Sequence, residues 1–421
     1  MSNATHIDIA AVHSGTGHRL RLFLPSIAFV LCLLDGLYLK DMIARTPDND
    51  FAKVYFSTIA FLRGGEMYGV NPATPSGEVE GRTLHLWDLN PPHFHLIILP
   101  FALLPIYPAL LLWCLANLIC FALSLHAIRR ELRLTEGQAQ LGLVCVLVFA
   151  GTTTALRSGH CSFLLMLVVT RMWLAARRGR WTSAGLYLGL GMSVKPFLLM
   201  VLPYLLLRRR WKAAGAAVAM SLFCFALGAL VFGVDNHLAW RAKLGDSTSW
   251  SWQFLNGSLY GLLARLLTAN PMGQCLVDGP SALVPLLWLG LGVPIGLATL
   301  AMSCADKTPA DVDRSFSILL VASLLLSPLG WAYYFCLPLA PAAAVALGWL
   351  RGADASSRWS RGLLLAAVGT LVLPFPILRL FQPSALATVL LGNLYSYGVL
   401  ALWTALLLDG LHILGARRRA A

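Results

Sequence analysis

Asp50 is the strongest candidate for a catalytic group in this sequence. It stands just before a stretch, residues 51–63, in which apolar residues recur at spacings of three and four. Such spacing predicts an amphipathic helix. An aspartate in that place can cap the helix by accepting hydrogen bonds from its first turn. The same carboxylate could instead take a proton from a hydroxyl nucleophile. Both roles are open for Asp50, and they are compatible.

Two further carboxylates in the same region are rivals for that role. Glu66 lies in the turn-rich stretch after the predicted helix, and Asp88 precedes a pair of prolines. His93 and His95 follow the prolines. Because no third ligand stands at a recognisable spacing, we expect the two histidines to be structural and no metal to be bound.

Three cations stand near the predicted outer ends of hydrophobic segments: Arg157, Lys195 and Arg265. A cation near a membrane is costly without an anionic partner. Each could extend to the interface or pair with an acidic residue. Cations on the outer side run against the usual distribution of charge, which favours a functional interpretation, most of all for Lys195. Together with an outer carboxylate, these cations suit a phosphorylated lipid whose phosphate lies at headgroup level.

The composition predicts a polytopic membrane protein around these residues. Of 421 residues, 58% are hydrophobic and 12% are charged, whereas soluble domains carry about 25% charged residues. The formal charge of +13 comes from bases that cluster between apolar runs. That pattern encodes membrane topology rather than nucleic-acid binding. The nine cysteines include no C-x-x-C pair, which predicts neither a disulfide framework nor a zinc site.

We predict an all-α fold with about twelve transmembrane helices in one domain, residues 1–421. The predicted spans are 20–39, 106–128, 138–156, 161–176, 181–195, 196–207, 213–234, 281–302, 314–328, 330–350, 361–380 and 388–411. Segments 93–105 and 196–207 are short and interrupted by proline, so their crossing is left open. Basic stretches fall at every second boundary, which predicts a plasma (inner) membrane protein with both termini in the cytoplasm.

Two long segments, residues 41–92 and 235–280, are then loops on the outer side. They are rich in Trp, Tyr, His, Asn and Asp, unlike the short cytoplasmic turns. Loops this long are usually functional. We therefore expect interfacial helices in these loops and the chemistry on the outer, periplasmic face.

Several weak motifs, in order between about residues 48 and 340, resemble glycosyltransferase family 87. This family comprises polyprenyl-phosphate-mannose-dependent mannosyltransferases of the GT-C superfamily. The motifs are Asp50-Phe51 with Tyr55 and Arg63-Gly64, Asn71-Pro72, Pro91-Pro92, Gly159-His160, Lys195-Pro196, Asn256-Gly257-Ser258-Leu259 with Arg265, and Ser327-Pro328. Many members carry a histidine pair after the last motif. This chain continues to Tyr333-Tyr334 instead, so a role resting on those histidines does not carry over.

The resemblance implies a GT-C-like fold. It also implies transfer of a hexose from polyprenyl phosphate with inversion at the anomeric carbon, and mannose is the leading candidate for that hexose. Asp50 matches the family's proposed base, and no cofactor or metal is expected. Donor-phosphate ligands would be Lys195, Arg265, His160 and Arg157, and acceptor or sugar contacts would be Tyr55, Glu66, Asp88, Asn256 and Trp331. The implied partners are the lipid-linked donor, a lipid or glycan acceptor and membrane lipids, with no nucleic acid.

Two other classes of function compete with this interpretation. A lipid or glycolipid transporter (flippase) would also use a helix broken at Pro196. The sequence shows no paired half-repeat and few charges in mid-span, which argues against it. A non-catalytic membrane scaffold is the third hypothesis, and the two long aromatic outer loops argue against that.

Overall fold

The computed structural model describes residues 9–79, 82–270, 275–303, 307–351, 358–373 and 384–420. This part of the chain is nearly all α-helical, as predicted. The helices are α1 (Ile9–Ala44), α2 (Asp50–Leu62), α3 (His95–Ala102), α4 (Ile106–Glu131), α5 (Glu136–Leu147), α6 (Ala150–Ser158), α7 (Ser162–Arg177), α8 (Trp181–Val194), α9 (Val201–Leu207), α10 (Trp211–Phe232), α11 (Val234–Gly245), α12 (Leu259–Leu267), α13 (Leu283–Met302), α14 (Pro309–Leu326), α15 (Leu339–Leu350), α16 (Arg358–Leu371), α17 (Ala385–Leu390) and α18 (Leu394–Ala420). Short 3₁₀ turns lie at Pro92–Phe94, Pro196–Met200, Asp246–Trp250 and Ala332–Tyr334.

One β-hairpin lies in the first long loop, after α2. Its strands are β1 (Ser76–Val79) and β2 (Arg82–His85), paired antiparallel with Ser76 opposite His85. Strands of four residues give too short a pattern to be predicted from sequence. Helices are present in both loops, as α2 in the first and as α11 and α12 in the second.

Four segments of the described chain are long and apolar enough to cross a membrane. They are Ile106–Glu131, Trp211–Phe232, Leu283–Met302 and Ala385–Gly415. A fifth is added if α5 and α6, bent by 53° relative to each other, count as one span. Several other predicted spans are shorter helices: α7 has 16 residues and α8 has 14. The end of the predicted span 361–380, beyond residue 373, lies outside the described residues.

The core of the protein is built around α7 and α14. Most side chains of both helices are buried, including Trp173 of α7 and Phe316 of α14. A helix that is buried on every side is expected to be largely apolar all round, and apart from the exposed Arg171 of α7 the middle parts of both helices have no exposed side chain. The two helices form the central frame, and the segments before α7 and after α14 contribute to the cavity described below.

Helices α8 and α10 approach each other closely at small residues. A Cβ atom on Gly185 would overlap the backbone of Ala213, and one on Gly189 would overlap the backbone of Ala217. Residues four apart lie on one face of a helix. Small residues at this spacing let membrane helices pack with their backbones in contact. This packing holds the end of α8 in place, where the chain breaks at Pro196.

We expect Gly189→Val to destabilise the protein, because the added side chain must push α8 and α10 apart. Overpacking of this kind costs about 1–3 kcal/mol. The matched control is Gly215→Val on α10, where an added Cβ meets no atom within 4 Å. Thermal unfolding in detergent should show a lower midpoint for Gly189→Val than for the control. Equal midpoints would contradict the close packing.

Candidate active site

A cavity of about 610 Å³ opens between the first long loop, the chain break after α8 and the segment after α14. This volume is typical of sites for small molecules. Its walls are mostly apolar and aromatic. Its polar lining consists mainly of Asp50, Lys53, Asn90, His160 and Lys195.

Asn49, rather than Asp50, caps helix α2. The Asn49 backbone is extended, and its side-chain oxygen accepts a hydrogen bond from the Ala52 N–H at 2.8 Å. Of the two roles left open for Asp50, capping is therefore excluded, because Asn49 occupies the N-cap position. Asp50 is the first residue of the helix, and its side chain is 23% exposed. Its carboxylate lines the cavity.

Lys53 is a cavity residue that the sequence analysis missed. Its Nζ lies 3.2 Å from Oδ1 of Asp50, and its side chain is 8% exposed. Residues three apart on a helix share a face, so the spacing of Asp50 and Lys53 was the available signal. The pair brings a negative and a positive group together at one wall of the cavity.

The chain break after α8 positions Lys195. Pro196 lacks an N–H group and disfavours a helical conformation in the residue before it. Lys195 accordingly has an extended backbone, with φ −131° and ψ 98°. Its Nζ donates a hydrogen bond to Oδ1 of Asn90 at 2.8 Å and lies 5.7 Å from the centre of the Tyr334 ring. An ammonium group has three N–H donors, so a ligand in the cavity can accept from those that Asn90 does not use.

Asp88 lies behind the cavity wall and acts on Lys195 through Asn90. Oδ1 of Asp88 accepts hydrogen bonds from the backbone N–H of Asn90 at 3.0 Å and from its Nδ2 at 2.9 Å. This fixes the amide so that its oxygen meets Lys195. Oδ2 of Asp88 lies 3.4 Å from Nε2 of His95, whose Nδ1 is 2.9 Å from Oγ1 of Thr58. Asp88 is buried and does not line the cavity, so it positions a cation rather than contacting a ligand.

His160 lines the cavity as a neutral ring. Its Nδ1 lies 2.8 Å from Oγ of Ser162, and its Nε2 lies 3.3 Å from the hydroxyl of Tyr334. The imidazole stacks on Tyr333, with the ring centres 4.2 Å apart. Burial lowers the pKa of His160 well below its usual range, and the two ammonium groups of the cavity lower it further. At neutral pH His160 therefore offers a hydrogen bond and a ring face rather than the positive charge expected for a phosphate ligand.

Trp331 reaches the cavity because Asn256 holds the segment after α14. Asn256 is fully buried; its Nδ2 donates to the carbonyl of Pro328, and its Oδ1 accepts from the N–H of Gly330, both at 2.9 Å. The N–H of Gly257 adds a bond to the carbonyl of Gly330 at 2.9 Å. Trp331 lines the cavity, and its contact with an acceptor or sugar stays a prediction. Asn256, in contrast, does not line the cavity; it holds the segment that carries Trp331.

Arg265 does not line the cavity. It is fully buried, and each nitrogen of its guanidinium group has an acceptor at 2.8 Å: Oδ1 of Asn393, the carbonyl of Gln253 and Oγ of Ser396. These bonds tie α12 to the start of α18. The location therefore gives no support to the expected contact between Arg265 and a donor phosphate.

The remaining candidates also lie away from the cavity lining. The hydroxyl of Tyr55 donates to the carbonyl of Leu104 at 2.7 Å, which anchors α2 to the loop before α4. Glu66 is exposed in the turn after α2. The guanidinium of Arg157 lies 5.3 Å from the centre of the Tyr38 ring. Within the described ranges, no group of three or more His, Cys, Asp or Glu side chains is close enough to hold a metal ion.

Comparison with known proteins finds a family and two distant relatives. The sequence profile of glycosyltransferase family 87 matches residues 89–328, more than half of the chain. Two curated relatives, from Mycobacterium tuberculosis strains CDC 1551 / Oshkosh and ATCC 25618 / H37Rv, are named Alpha-(1->3)-arabinofuranosyltransferase. Each is 28% identical over 221 residues, covering 48% of this chain and 48% of the relative. The chain thus spans about half the length of the curated relatives it matches. No solved structure matches it.

The burial of Arg265 leads to a prediction about stability. Arg265→Ala leaves three polar groups without their donor, and removing one partner from a buried charged network costs about 3–5 kcal/mol. We expect a clearly lower unfolding midpoint in detergent. Arg63→Ala, which removes an exposed arginine after α2, is the control and should leave the midpoint unchanged. A stable Arg265→Ala protein would show that the network contributes little to folding.

Proposed function

Since this chain belongs to glycosyltransferase family 87, we propose that it is a membrane glycosyltransferase with its active site in the cavity that Asp50 and Lys195 share. The donor is a sugar linked to polyprenyl phosphate, and the acceptor is a hydroxyl group of a glycan or lipid. The observation that carries the proposal is the presence of a carboxylate and a buried ammonium group in one cavity. Asp50 lies before the range that matches the family profile, so its role rests on this geometry.

The proposed reaction is a direct displacement with inversion at the anomeric carbon. Asp50 accepts the proton of the acceptor hydroxyl as the oxygen forms a bond to the anomeric carbon. The bond between that carbon and the phosphate oxygen breaks, and its electron pair remains on the oxygen. Polyprenyl phosphate therefore leaves with one more negative charge than it had in the donor.

The charges of the cavity support this reaction. Among the lining residues Asp50 is negative, and Lys53 and Lys195 are positive, which gives an excess of one positive charge. A sugar phosphodiester carries one negative charge and gains a second as the bond breaks. Fixed ammonium groups therefore bind the transition state more strongly than the donor, as catalysis requires. Asn90 holds Lys195 in place before the donor arrives, so little reorganisation is needed.

The apolar end of the cavity supports a donor with a lipid chain. Leu199 and Met200 line it after the chain break, together with Trp288 of α13 and Leu326 of α14. Leu199 is exposed although it is apolar. Helix α13 is one of the segments that can cross a membrane. A prenyl chain that leaves the cavity between these residues would pass directly into the hydrocarbon part of the bilayer.

We extend the proposal to a GT-C-like topology of about twelve crossings in the plasma membrane, with both termini in the cytoplasm. Helix α7 begins beside His160 and ends at Arg177. Helix α8 begins after Arg180 and ends just before Lys195. The cavity and the basic turns thus adjoin opposite ends of the same helices. If basic turns lie inside, the cavity faces the periplasm.

The transferred sugar is proposed to be a hexose, and mannose is the leading candidate. The names of the two relatives make arabinofuranose its main rival. Incubating the purified protein with polyprenyl-phosphate mannose, polyprenyl-phosphate arabinofuranose and membrane-lipid extracts, followed by mass spectrometry, would identify donor and product. Movement of the lipid-linked sugar across liposomes without a new glycosidic bond would instead favour a transporter.

Asp50→Asn tests the proposed base, because it keeps the size of the side chain and removes its ability to take a proton. We expect the rate of sugar transfer to fall by about 10²–10⁴-fold, with donor binding retained. The matched control is Asp48→Asn, which changes an exposed carboxylate of the same loop outside the cavity lining. Mass spectrometry of the product, at equal protein levels, measures the rate. Undiminished transfer by Asp50→Asn would remove Asp50 as the base.

Asp88→Asn tests the support of Lys195. Without the counter-charge behind Asn90 the ammonium group loses its proton more easily, so the alkaline limb of the pH–rate profile should move to lower pH. We also expect the donor KM to rise by about tenfold, because a charge-assisted contact weakens. The other groups near Lys195 stay unchanged: Asp50, Lys53, Cys161, His160 and Tyr334.

The control for this variant is Glu66→Gln, which removes an exposed carboxylate. A merely structural role of Asp88 would reduce the amount of active protein without moving the pH profile. Unchanged KM and an unchanged alkaline limb in Asp88→Asn would contradict the positioning role.

A further inference from the structure

A second cavity lies at the ends of α7 and α14 that point away from the candidate active site. Its volume is about 730 Å³, and it is enclosed by the ends of α4, α7 and α15 and the beginning of α14. Helix α7 has 16 residues and α14 has 18, so the two cavities are about 24–27 Å apart along these helices. That separation is close to the thickness of the hydrocarbon core, about 30 Å. The second cavity therefore belongs at the opposite membrane boundary.

Charged groups dominate the lining of this cavity. It contains five arginines and two carboxylates: Arg130, Arg133, Arg177, Arg314, Arg351, Glu131 and Asp313. The carboxylates are occupied by internal pairs. Oε1 of Glu131 accepts from Arg177 at 2.8 Å, and its Oε2 accepts from Arg178 at 3.0 Å. Oδ1 of Asp313 accepts from Arg177 at 2.9 Å and from Trp173 at 2.8 Å.

Three arginines at the rim keep their positive charge uncompensated. Arg130, Arg133 and Arg351 are exposed, and none has a carboxylate partner among the residues that the structure describes. Arg351 donates to the backbone carbonyl of Leu132 at 3.4 Å, a neutral acceptor. The rim thus offers three guanidinium groups to an anion, while the acidic residues of the floor are already paired.

An apolar wall adjoins these arginines. Helix α15 contributes Ala344, Val345 and Leu347 to the cavity. The side chain of Leu350, beside Arg351, is 83% exposed. An exposed leucine next to an arginine suits the boundary where a lipid headgroup meets its acyl chains, because an arginine there can reach the headgroups from an apolar surface.

We propose that this cavity binds the phosphodiester headgroup of an anionic phospholipid from the leaflet opposite the active site. Arg130, Arg133 and Arg351 bind the phosphate, and the α15 wall contacts the glycerol region and the first methylene groups. Guanidinium groups match phosphate oxygens with paired hydrogen bonds. Basic pockets between helices at a cytoplasmic boundary are suited to such headgroups. A bound lipid would join α4, α7, α14 and α15 at the end of the frame that supports the active site.

The test uses the full chain in mild detergent with phosphatidylglycerol as the probe and phosphatidylcholine as the neutral comparison. Native mass spectrometry measures the bound lipid. We expect the wild-type protein to retain phosphatidylglycerol in preference to phosphatidylcholine. The triple variant Arg130→Gln/Arg133→Gln/Arg351→Gln should bind it about 100-fold more weakly, since each basic side chain contributes about 1 kcal/mol, a factor of about five.

The matched control is Arg45→Gln/Arg63→Gln/Arg241→Gln, which removes the same charge from exposed positions in the long loops. It should retain the lipid. Should the triple variant of the cavity not fold, Arg133→Gln alone must still weaken binding relative to Arg63→Gln alone. Equal binding by the cavity variants and their controls would overturn the proposal. Displacement of the lipid by an equal concentration of inorganic phosphate would also overturn it, because the cavity would then be a simple anion site.

Discussion

The candidate active site depends on keeping one ammonium group buried in a protein whose surroundings are largely apolar. Removing a charged group from water costs several kcal/mol, and a precise set of partners must offset that cost. For Lys195 these partners are the amide oxygen of Asn90 and, behind it, the carboxylate of Asp88. Asn90 and Asp88 lie in the first long loop, whereas Lys195 lies at the end of α8. The charge therefore fixes the loop to the helices, and the cavity exists because they meet there.

Asp50 and Lys53 lie on α2, whereas the other polar groups of the cavity come from places where regular helices stop. Lys195 precedes Pro196, Asn90 precedes a proline pair, and the segment with Trp331 follows Ser327 and its proline. A proline forces the residue before it into an extended conformation, so the side chain leaves the direction that the helix would have given it. The unbroken helices α7 and α14 supply the frame but few polar groups. An unbroken membrane helix satisfies the hydrogen bonds of its own backbone. A break in the helix leaves backbone N–H and C=O groups that need polar partners.

The hydrophobic pattern predicted the helices well where the apolar runs are longest. The predicted spans 106–128, 213–234 and 281–302 correspond to α4, α10 and α13 within a few residues. The same pattern cannot predict which residues a buried side chain meets. In the sequence, Arg265 and Lys195 look alike, as cations near the outer ends of predicted spans. In the structure, the guanidinium group of Arg265 donates to three protein acceptors, whereas Lys195 lines a cavity.

Asp50 and Asn49 also show that the sequence pattern does not predict which partner a side chain meets, here between two neighbouring residues. Either could cap α2, and the choice depends on which side chain the tertiary structure leaves free to accept from the first turn. Lys53 was missed because basic residues were sought at the ends of spans. Asn90 was missed because a neutral amide gives no signal of its own, although its position between Asp88 and Lys195 makes it the link between two charges.

The segment after α14 determines what the cavity can recognise besides charge. Resemblance to the family leads one to expect a histidine pair there, and this chain has Tyr333 and Tyr334. Tyr333 stacks on His160, and Trp331 lies over Tyr333 with the ring centres 6.2 Å apart at 26°. The resulting wall is a set of uncharged rings, with the neutral imidazole among them. Aromatic faces suit the C–H surfaces of a sugar but add no cation for a phosphate. In the proposed reaction the charge of the leaving phosphate then falls on Lys195 and Lys53. A change in this aromatic segment should therefore alter which sugar or acceptor fits, rather than how the leaving group is stabilised.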